Sequence, residues 1–176
     1  MGRCPIRLYT KGNTIMNDIY AAYGQAKEIQ GAVLEIGLGW GFIADALVIK
    51  PEISNLISYE KNTQRVNDYT IKNVNKHTVR EQDILLDTIT DNFDVAIIDV
   101  FDGRASEFYD LGKDIVTKIL PNINSSGKII IEYQIDTLIE KDFRAWMENQ
   151  FGLMKKEFIH TGLRQTSRSI AYYNIS

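Results

Sequence analysis

Five carboxylates stand in succession along this chain, each at or just past the end of a short run that reads as a strand: Glu35, Glu60, Asp83, Asp99 and Glu132. The first precedes a glycine-rich turn, Glu35-Ile36-Gly37-Leu38-Gly39-Trp40-Gly41, which lets the main chain bend sharply and lets a ligand approach without Cβ interference. A turn of this kind often serves a pyrophosphate, but a dinucleotide fingerprint wants a small residue where Phe42 stands, and Glu35 would repel the phosphates. A carboxylate there favours a ligand carrying positive charge. Glu60, at the end of the second run, suits both hydroxyls of a ribose, and Asp83 suits the exocyclic amine of an adenine. Together the three acidic positions fit a nucleoside with a cationic, amino-acid-like tail. Each position also has a bland reading: glycines form turns, a Glu after a strand is commonly solvated, and an Asp ending a strand can cap the next helix. Their shared order is what carries the functional reading.

The elements that must hold these residues alternate along the chain. Ile15, Ile19, Ala22, Tyr23 and Ala26 recur at helical spacing, which predicts a leading helix over Thr14 to Gln30 with Gly31 as its stop. Strands are then expected at Ala32–Ile36, Asn55–Tyr59, His77–Glu81, Phe93–Asp99 and Gly127–Tyr133. Helices are expected at Phe42–Ile49, Asn62–Asn75, Ser106–Leu120 and Asp136–Gln150, a βα period throughout. Leu153–His160 and Ser167–Asn174 have no helix between them and read as a hairpin. The expected fold is α/β, a doubly wound, mostly parallel seven-stranded sheet with an antiparallel C-terminal β-hairpin placing an antiparallel strand at one edge. No repeat or linker divides the chain, so residues 1–176 are expected to form one domain, with 1–13 a segment that covers the pocket or stays flexible.

Composition narrows the partners. The net charge of −3 lacks the dominant positive field that backbone-gripping nucleic-acid proteins need, although Lys155, Lys156, Arg164 and Arg168 cluster late in the chain as solvated charge. The lone Cys4 supports neither a disulfide framework nor a cysteine zinc site. Apolar runs are too short to cross a bilayer, and the residues after Arg3 and Arg7 are polar, so a cytoplasmic protein without membrane association is expected. His77 and His160 lie far apart without partner motifs and read as structural. Trp40 either closes over the ligand or packs on the leading helix, and Trp146 reads as core or subunit contact. The sequence leaves the oligomeric state open.

The set Glu35-x-Gly37-x-Gly39-x-Gly41, Glu60, Asp83 and Phe93-Asp94-Val95-Ala96-Ile97-Ile98-Asp99 resembles the class I S-adenosylmethionine-dependent methyltransferase family, over roughly residues 14–174. The resemblance implies a Rossmann-like methyltransferase fold and S-adenosyl-L-methionine as cofactor. The glycine loop would contact its methionine part, Glu60 the ribose and Asp83 the adenine, with Asp99 near the methyl group. Methyl transfer from a sulfonium is an in-line displacement that needs an oriented nucleophile and, at times, a proton acceptor. Asp99 and Asp102, in Asp99-Val100-Phe101-Asp102-Gly103, are the catalytic candidates, with Glu132 and Tyr133 behind them. The chain has neither the Asn-Pro-Pro-Tyr nor the Asp-Pro-Pro-Tyr segment of amino-methylating DNA enzymes, and no cysteine placed for pyrimidine C5 chemistry, so a small-molecule acceptor, at an amine or hydroxyl, ranks above nucleic acid.

Three rivals remain. Ile97-Ile98-Asp99-Val100-Phe101-Asp102-Gly103 is similar to the fourth-strand segment of spermidine-synthase-like proteins, which implies an aminopropyltransferase, although only about 30 residues precede the glycine loop and that family's N-terminal β-domain has no room there. A non-catalytic S-adenosylmethionine-binding module would keep the same fold. A metal-assisted catechol-type enzyme would use Asp99 and Glu132 as oxygen ligands, but Glu132-Tyr133-Gln134 replaces the Asp-Asn pair expected there, and no metal site is expected.

Overall fold

A computed structural model describes residues 21–100, 108–134, 138–160 and 167–175. Its elements run β1 (Gly31–Ile36), α1 (Phe42–Val48), β2 (Ile53–Glu60), α2 (Thr63–Asp68), β3 (His77–Glu81), β4 (Phe93–Ile98), α3 (Phe108–Ile119), a 3-10 turn (Leu120–Asn122), β5 (Ile123–Gln134), α4 (Leu138–Phe151), β6 (Leu153–His160) and β7 (Ser167–Asn174). They build one seven-stranded sheet in the order β3-β2-β1-β4-β5-β7-β6. β1 to β5 pair in parallel, and β7 runs antiparallel between β5 and β6.

The strands are apolar on both sides because both sides are covered. On one face Leu34, Ile36, Ala96, Ile98, Ile129 and Ile131 pack with Ile115, Val116 and Ile119 of α3 and Phe143 and Met147 of α4. On the other, Val33, Leu56, Val95 and Ile97 pack with Ile43, Ala44 and Leu47 of α1 and with Tyr23 and Ile29 from the segment before β1. Successive strand residues alternate between these two clusters, as a pleated strand requires. The result is the expected doubly wound α/β sheet.

Tertiary context overrides the expected elements at several places. Only 21–24 of the leading helix is described, and it ends there rather than at Gln30. Lys50 Nζ donates to the carbonyls of Tyr23 (3.4 Å) and Ala26 (2.6 Å), satisfying the end of the helix while the chain turns toward β1. The helix expected over Asn62–Asn75 stops at Asp68, because Tyr69 adopts extended backbone (φ −88, ψ 132) and carries its ring inward. No helix links β3 to β4: residues 82–92 form turns, begun by Asp83 accepting from the Leu85 N–H. The βα period therefore fails once. β5 begins at Ile123 rather than Gly127 and shifts register against β4 on the way. The hairpin has its expected bounds, but its antiparallel strand β7 is internal, and β6 forms the edge.

Strand order reverses between β1 and β4, since the chain builds outward to β3 and returns to start β4 beside β1. In such sheets the crevice at the carboxyl ends of the strands flanking the reversal is where ligands bind. Gly37 and Asp99 stand at those two ends.

Candidate functional site at the switch point

The ladder continues for one residue beyond the strands. Gly37 N–H donates to the Tyr59 carbonyl (2.9 Å), Asp99 N–H to the Ile36 carbonyl (2.9 Å), and Gln82 N–H to the Glu60 carbonyl (3.1 Å). These bonds set Asp99, Gly37, Glu60 and the start of the Asp83 turn side by side along one rim. The acidic positions Glu60, Asp83 and Asp99 thus share the carboxyl edge of the sheet with the glycine turn that follows β1.

The three glycines of the turn have distinct reasons to be glycine. All take positive φ, 91° at Gly37, 54° at Gly39 and 75° at Gly41. A Cβ at Gly37 would collide with the Asp99 carbonyl oxygen, and one at Gly41 would collide with the Tyr69 ring. Both are packed against protein. A Cβ at Gly39 would meet nothing within 4 Å, so the turn is open at its middle residue.

Glu60 faces that opening. Its Oε2 accepts from the Gly39 N–H (3.1 Å) and its Oε1 from the Asn62 N–H (2.8 Å), two main-chain bonds that fix the carboxylate beside the turn. Each oxygen keeps a further lone pair for a ligand hydroxyl. Asn62 in turn caps α2, its side chain accepting from the Arg65 N–H. Asp83 is half-buried, held by the Leu85 N–H (3.1 Å) and paired with Lys61 at 3.7 Å. Beside the turn the Trp40 ring is 64% exposed, with the Arg65 guanidinium 3.7 Å from its centroid, so it does not pack as a core residue.

Glu35 behaves differently from the other carboxylates. It is fully buried on the α1 face of the sheet, and its Oε2 is hydrogen-bonded to Ser58 Oγ. β1 and β2 pair Glu35 with Ser58 directly, so the contact follows from register. The bonds continue from Ser58 Oγ to His77 Nε2 (2.8 Å), from His77 Nδ1 to the Tyr69 hydroxyl (3.4 Å), and from Tyr69 to Asp45 Oδ1 (2.9 Å). Lys72 lies 3.9 Å from Asp45 at the outer end. Burial pushes Glu35 up to about 8, and the negative Asp99 and Asp45 push the same way, against the Ser58 bond and the Ala44 N–H. Burial also holds His77 down to about 4, so its ring is neutral at pH 7. Glu35 Oε1 has no hydrogen-bond partner among the described residues.

Glu132 is buried on the same face as Glu35, where the Tyr23 hydroxyl donates to its Oε2 (3.1 Å). Tyr23 itself is held well above its ordinary value, first by burial and then by the charges of Glu132 and Asp99. Tyr133 is on the opposite face, bonded hydroxyl to hydroxyl with Tyr173 (3.0 Å) under the Arg144 guanidinium, and belongs to the core. Asp102, with Phe101 and Gly103, lies outside the described residues. Among the described residues no group of three His, Cys, Asp or Glu side chains is arranged to hold a metal ion, and no helix is long and apolar enough to cross a membrane.

Sequence reasoning missed Ser58, Tyr69 and Asp45 and read His77 as structural. A signal existed for Ser58, a polar residue between Leu56-Ile57 and Tyr59 in a strand whose neighbours are buried. Nothing in local pattern tied it to His77.

The doubly wound sheet with this strand order has the same fold as solved structures of S-adenosylmethionine-dependent methyltransferases. No protein-family model matches the chain, and no curated protein matches its sequence. Solved structures do match it. One is the N-methyltransferase NodS of Bradyrhizobium japonicum in complex with S-adenosyl-L-homocysteine, with TM-score 0.68, 8% identity, and coverage of 91% of this chain and 85% of that one. Another is the 1,6-didemethyltoxoflavin-N1-methyltransferase of Burkholderia thailandensis, with TM-score 0.71, 9% identity, and coverage of 92% and 78%. A third is a putative RNA methyltransferase of Pyrococcus horikoshii, with TM-score 0.65, 15% identity, and coverage of 99% and 91%. At these identities the likeness is one of fold.

Proposed function

We propose that this chain is a methyltransferase that uses S-adenosyl-L-methionine as cofactor and acts on a small molecule at an amine or hydroxyl. The observation that carries the reading is the Glu60 carboxylate, clamped by the Gly39 and Asn62 N–H groups at the open middle of the glycine turn. The residues suit this cofactor: the turn has room for an approaching tail at Gly39, Glu60 is fixed for the ribose, and on β1, which leads into the turn, Glu35 keeps a buried oxygen with no hydrogen-bond partner among the described residues. Asp83 is available to the adenine amine. When bound, the cofactor supplies a methyl group made electrophilic by its sulfonium. Asp99, at the end of β4 beside Gly37, orients the acceptor or takes its proton, and Asp102 is assigned the same work from the sequence. The net charge of −3 favours a small acceptor over nucleic acid. A cytoplasmic location fits that assignment.

Calorimetric titration of S-adenosylmethionine, S-adenosylhomocysteine, decarboxylated S-adenosylmethionine and NAD tests the ligand class. Binding of the first two in preference to the others is expected. Glu60→Ala weakens that binding by about 1.5 to 3 kcal/mol through two lost charge-assisted bonds. Unchanged affinity refutes the ribose assignment, and preference for the decarboxylated form moves the chain to the aminopropyltransferases.

A further inference from the structure

Two buried groups on the α4 side of the sheet, Ser169 Oγ and Arg144 Nε, have no hydrogen-bond partner among the described residues. Tyr133 on β5 and Ser169 on β7 are directly paired, so their side chains leave the sheet on the same side. That side is the one α4 covers, where Tyr133 packs against Phe143. Ser169 is fully buried there. Arg144 of α4 lies half-buried over the Tyr133 ring, its guanidinium carbon 4.7 Å from the centroid. Arg144 forms no ion pair among the described residues; Glu148, one turn further along α4, is exposed, and its charge reaches the Tyr133 and Tyr173 hydroxyls. Donors buried in this way cost stability until something accepts from them.

Both groups stand at the carboxyl rim. Ile98 pairs with Ile131, so the Tyr133–Ser169 rung lies two residues further out, just before β5 ends at Gln134 and just after β7 begins at Ser167. β4, β5 and β7 are consecutive in the sheet, which puts Ser169 about 10 Å across the rim from Asp99. The switch-point side of the rim carries Glu60, Asp83 and Asp99, and Lys61 there is already paired with Asp83 (3.7 Å). An anion is repelled from that side and attracted to Arg144. A guanidinium lying on an aromatic ring has its plane fixed, and its Nε–H and the neighbouring Nη–H leave one edge as the fork that matches a carboxylate or phosphate. We propose that the rim of β5 and β7 is an anion-binding subsite for the methyl acceptor, in which Arg144 Nε–H and Ser169 Oγ–H donate to a carboxylate or phosphate group of that molecule. This rests on the methyltransferase reading above and adds the chemical class of the acceptor, a small molecule whose anionic group is held at β5 and β7 while its amine or hydroxyl reaches toward Asp99. The two ends of an amine acceptor are then sorted by charge. A hydroxyl that serves a ligand rather than the fold adds nothing to the stability of the free protein, so removing it costs the fold nothing.

The test reads the arginine directly. The full chain carrying isotope-labelled arginine is titrated with inorganic phosphate and, separately, with acetate, while the Nε–H signals are followed by NMR; the Arg144 signal is the one missing from Arg144→Lys. Each titration is run with and without S-adenosylhomocysteine, and chloride at matched ionic strength is the control. The expected result is a saturable shift of the Arg144 signal with phosphate or acetate and none with chloride, the tighter of the two assigning the group. Ser169→Ala is expected to weaken that binding at least about fivefold through its lost bond to a charged group. Its urea unfolding midpoint is expected to stay at or above that of the wild type. The absence of a saturable shift up to about 100 mM of either anion overturns the subsite. So does wild-type binding by Ser169→Ala, and so does a lowered midpoint or failure to fold in that variant, for each makes the hydroxyl part of the fold. Binding of S-adenosylhomocysteine without an anion shift leaves the cofactor reading standing and removes the subsite. An anion shift in a chain that does not bind S-adenosylhomocysteine defeats the cofactor reading and, with it, the acceptor role given to Arg144 and Ser169.

Discussion

Replacing Glu35 by Gln separates the electrostatics of the buried carboxyl from everything else in the fold, because the amide keeps its shape and its bond to Ser58 but has no charge to desolvate. The folded protein holds Glu35 at about 8 against an ordinary 4.5. A carboxyl raised on folding contributes stability that is fully present below 4.5 and is lost as pH rises through 8. Each pH unit between those two values corresponds to about 1.4 kcal/mol, so the full effect is about 5 kcal/mol, of which about 3 to 4 kcal/mol falls between pH 5 and pH 8. The assay is urea unfolding of the unliganded wild type and Glu35→Gln at pH 5, 6, 7, 8 and 9. Titration of Asp45, His77 and the surface groups is common to both chains and cancels in the difference. The wild type is expected to lose stability relative to the variant by that amount over the interval, and Glu35→Gln is expected to be the more stable protein at pH 8 to 9. A difference between the two that stays within about 0.5 kcal/mol from pH 5 to pH 9 refutes the reasoning, for it would mean that Glu35 is ionised and compensated in the free protein.

The remaining predictions probe the turn, its supports and the acceptor side. Gly41→Ala forces a side chain onto left-handed backbone and into the Tyr69 ring, and is expected to cost about 2 kcal/mol or more in thermal unfolding; an unshifted midpoint contradicts the close approach. Tyr23→Phe removes the hydroxyl that donates to the buried Glu132 and is expected to destabilise the protein by about 1 to 2 kcal/mol at pH 7, read by urea denaturation. Asp99→Asn is expected to keep S-adenosylhomocysteine affinity within a few-fold while lowering methyl transfer to an amine acceptor by about 100-fold. Equal turnover would remove Asp99 from proton transfer.

The sequence by itself determined the layered architecture and the row of acids. Val33, Leu34 and Ile36, and the run from Val95 to Ile98, are apolar at consecutive positions, which only a strand covered on both faces tolerates; their alternation with amphipathic stretches requires parallel crossovers. From that, Glu35, Glu60, Asp83 and Asp99 had to fall at strand ends, and the hairpin after α4 was legible from the missing helix. Whether a carboxylate at a strand end faces a ligand or the interior is a question of pleat and neighbours, which a local pattern does not contain. Tertiary structure alone decided that Glu60 is clamped by main-chain N–H groups beside the open residue of the turn, while Glu35 is turned under α1 against Ser58 and His77. It also decided that the helix after Asn62 stops at Asp68, since Tyr69 leaves helical backbone to place its ring under Gly41 and its hydroxyl between His77 and Asp45. Those contacts join residues far apart in the chain through the register of adjacent strands, and register is fixed by the packing of the whole sheet.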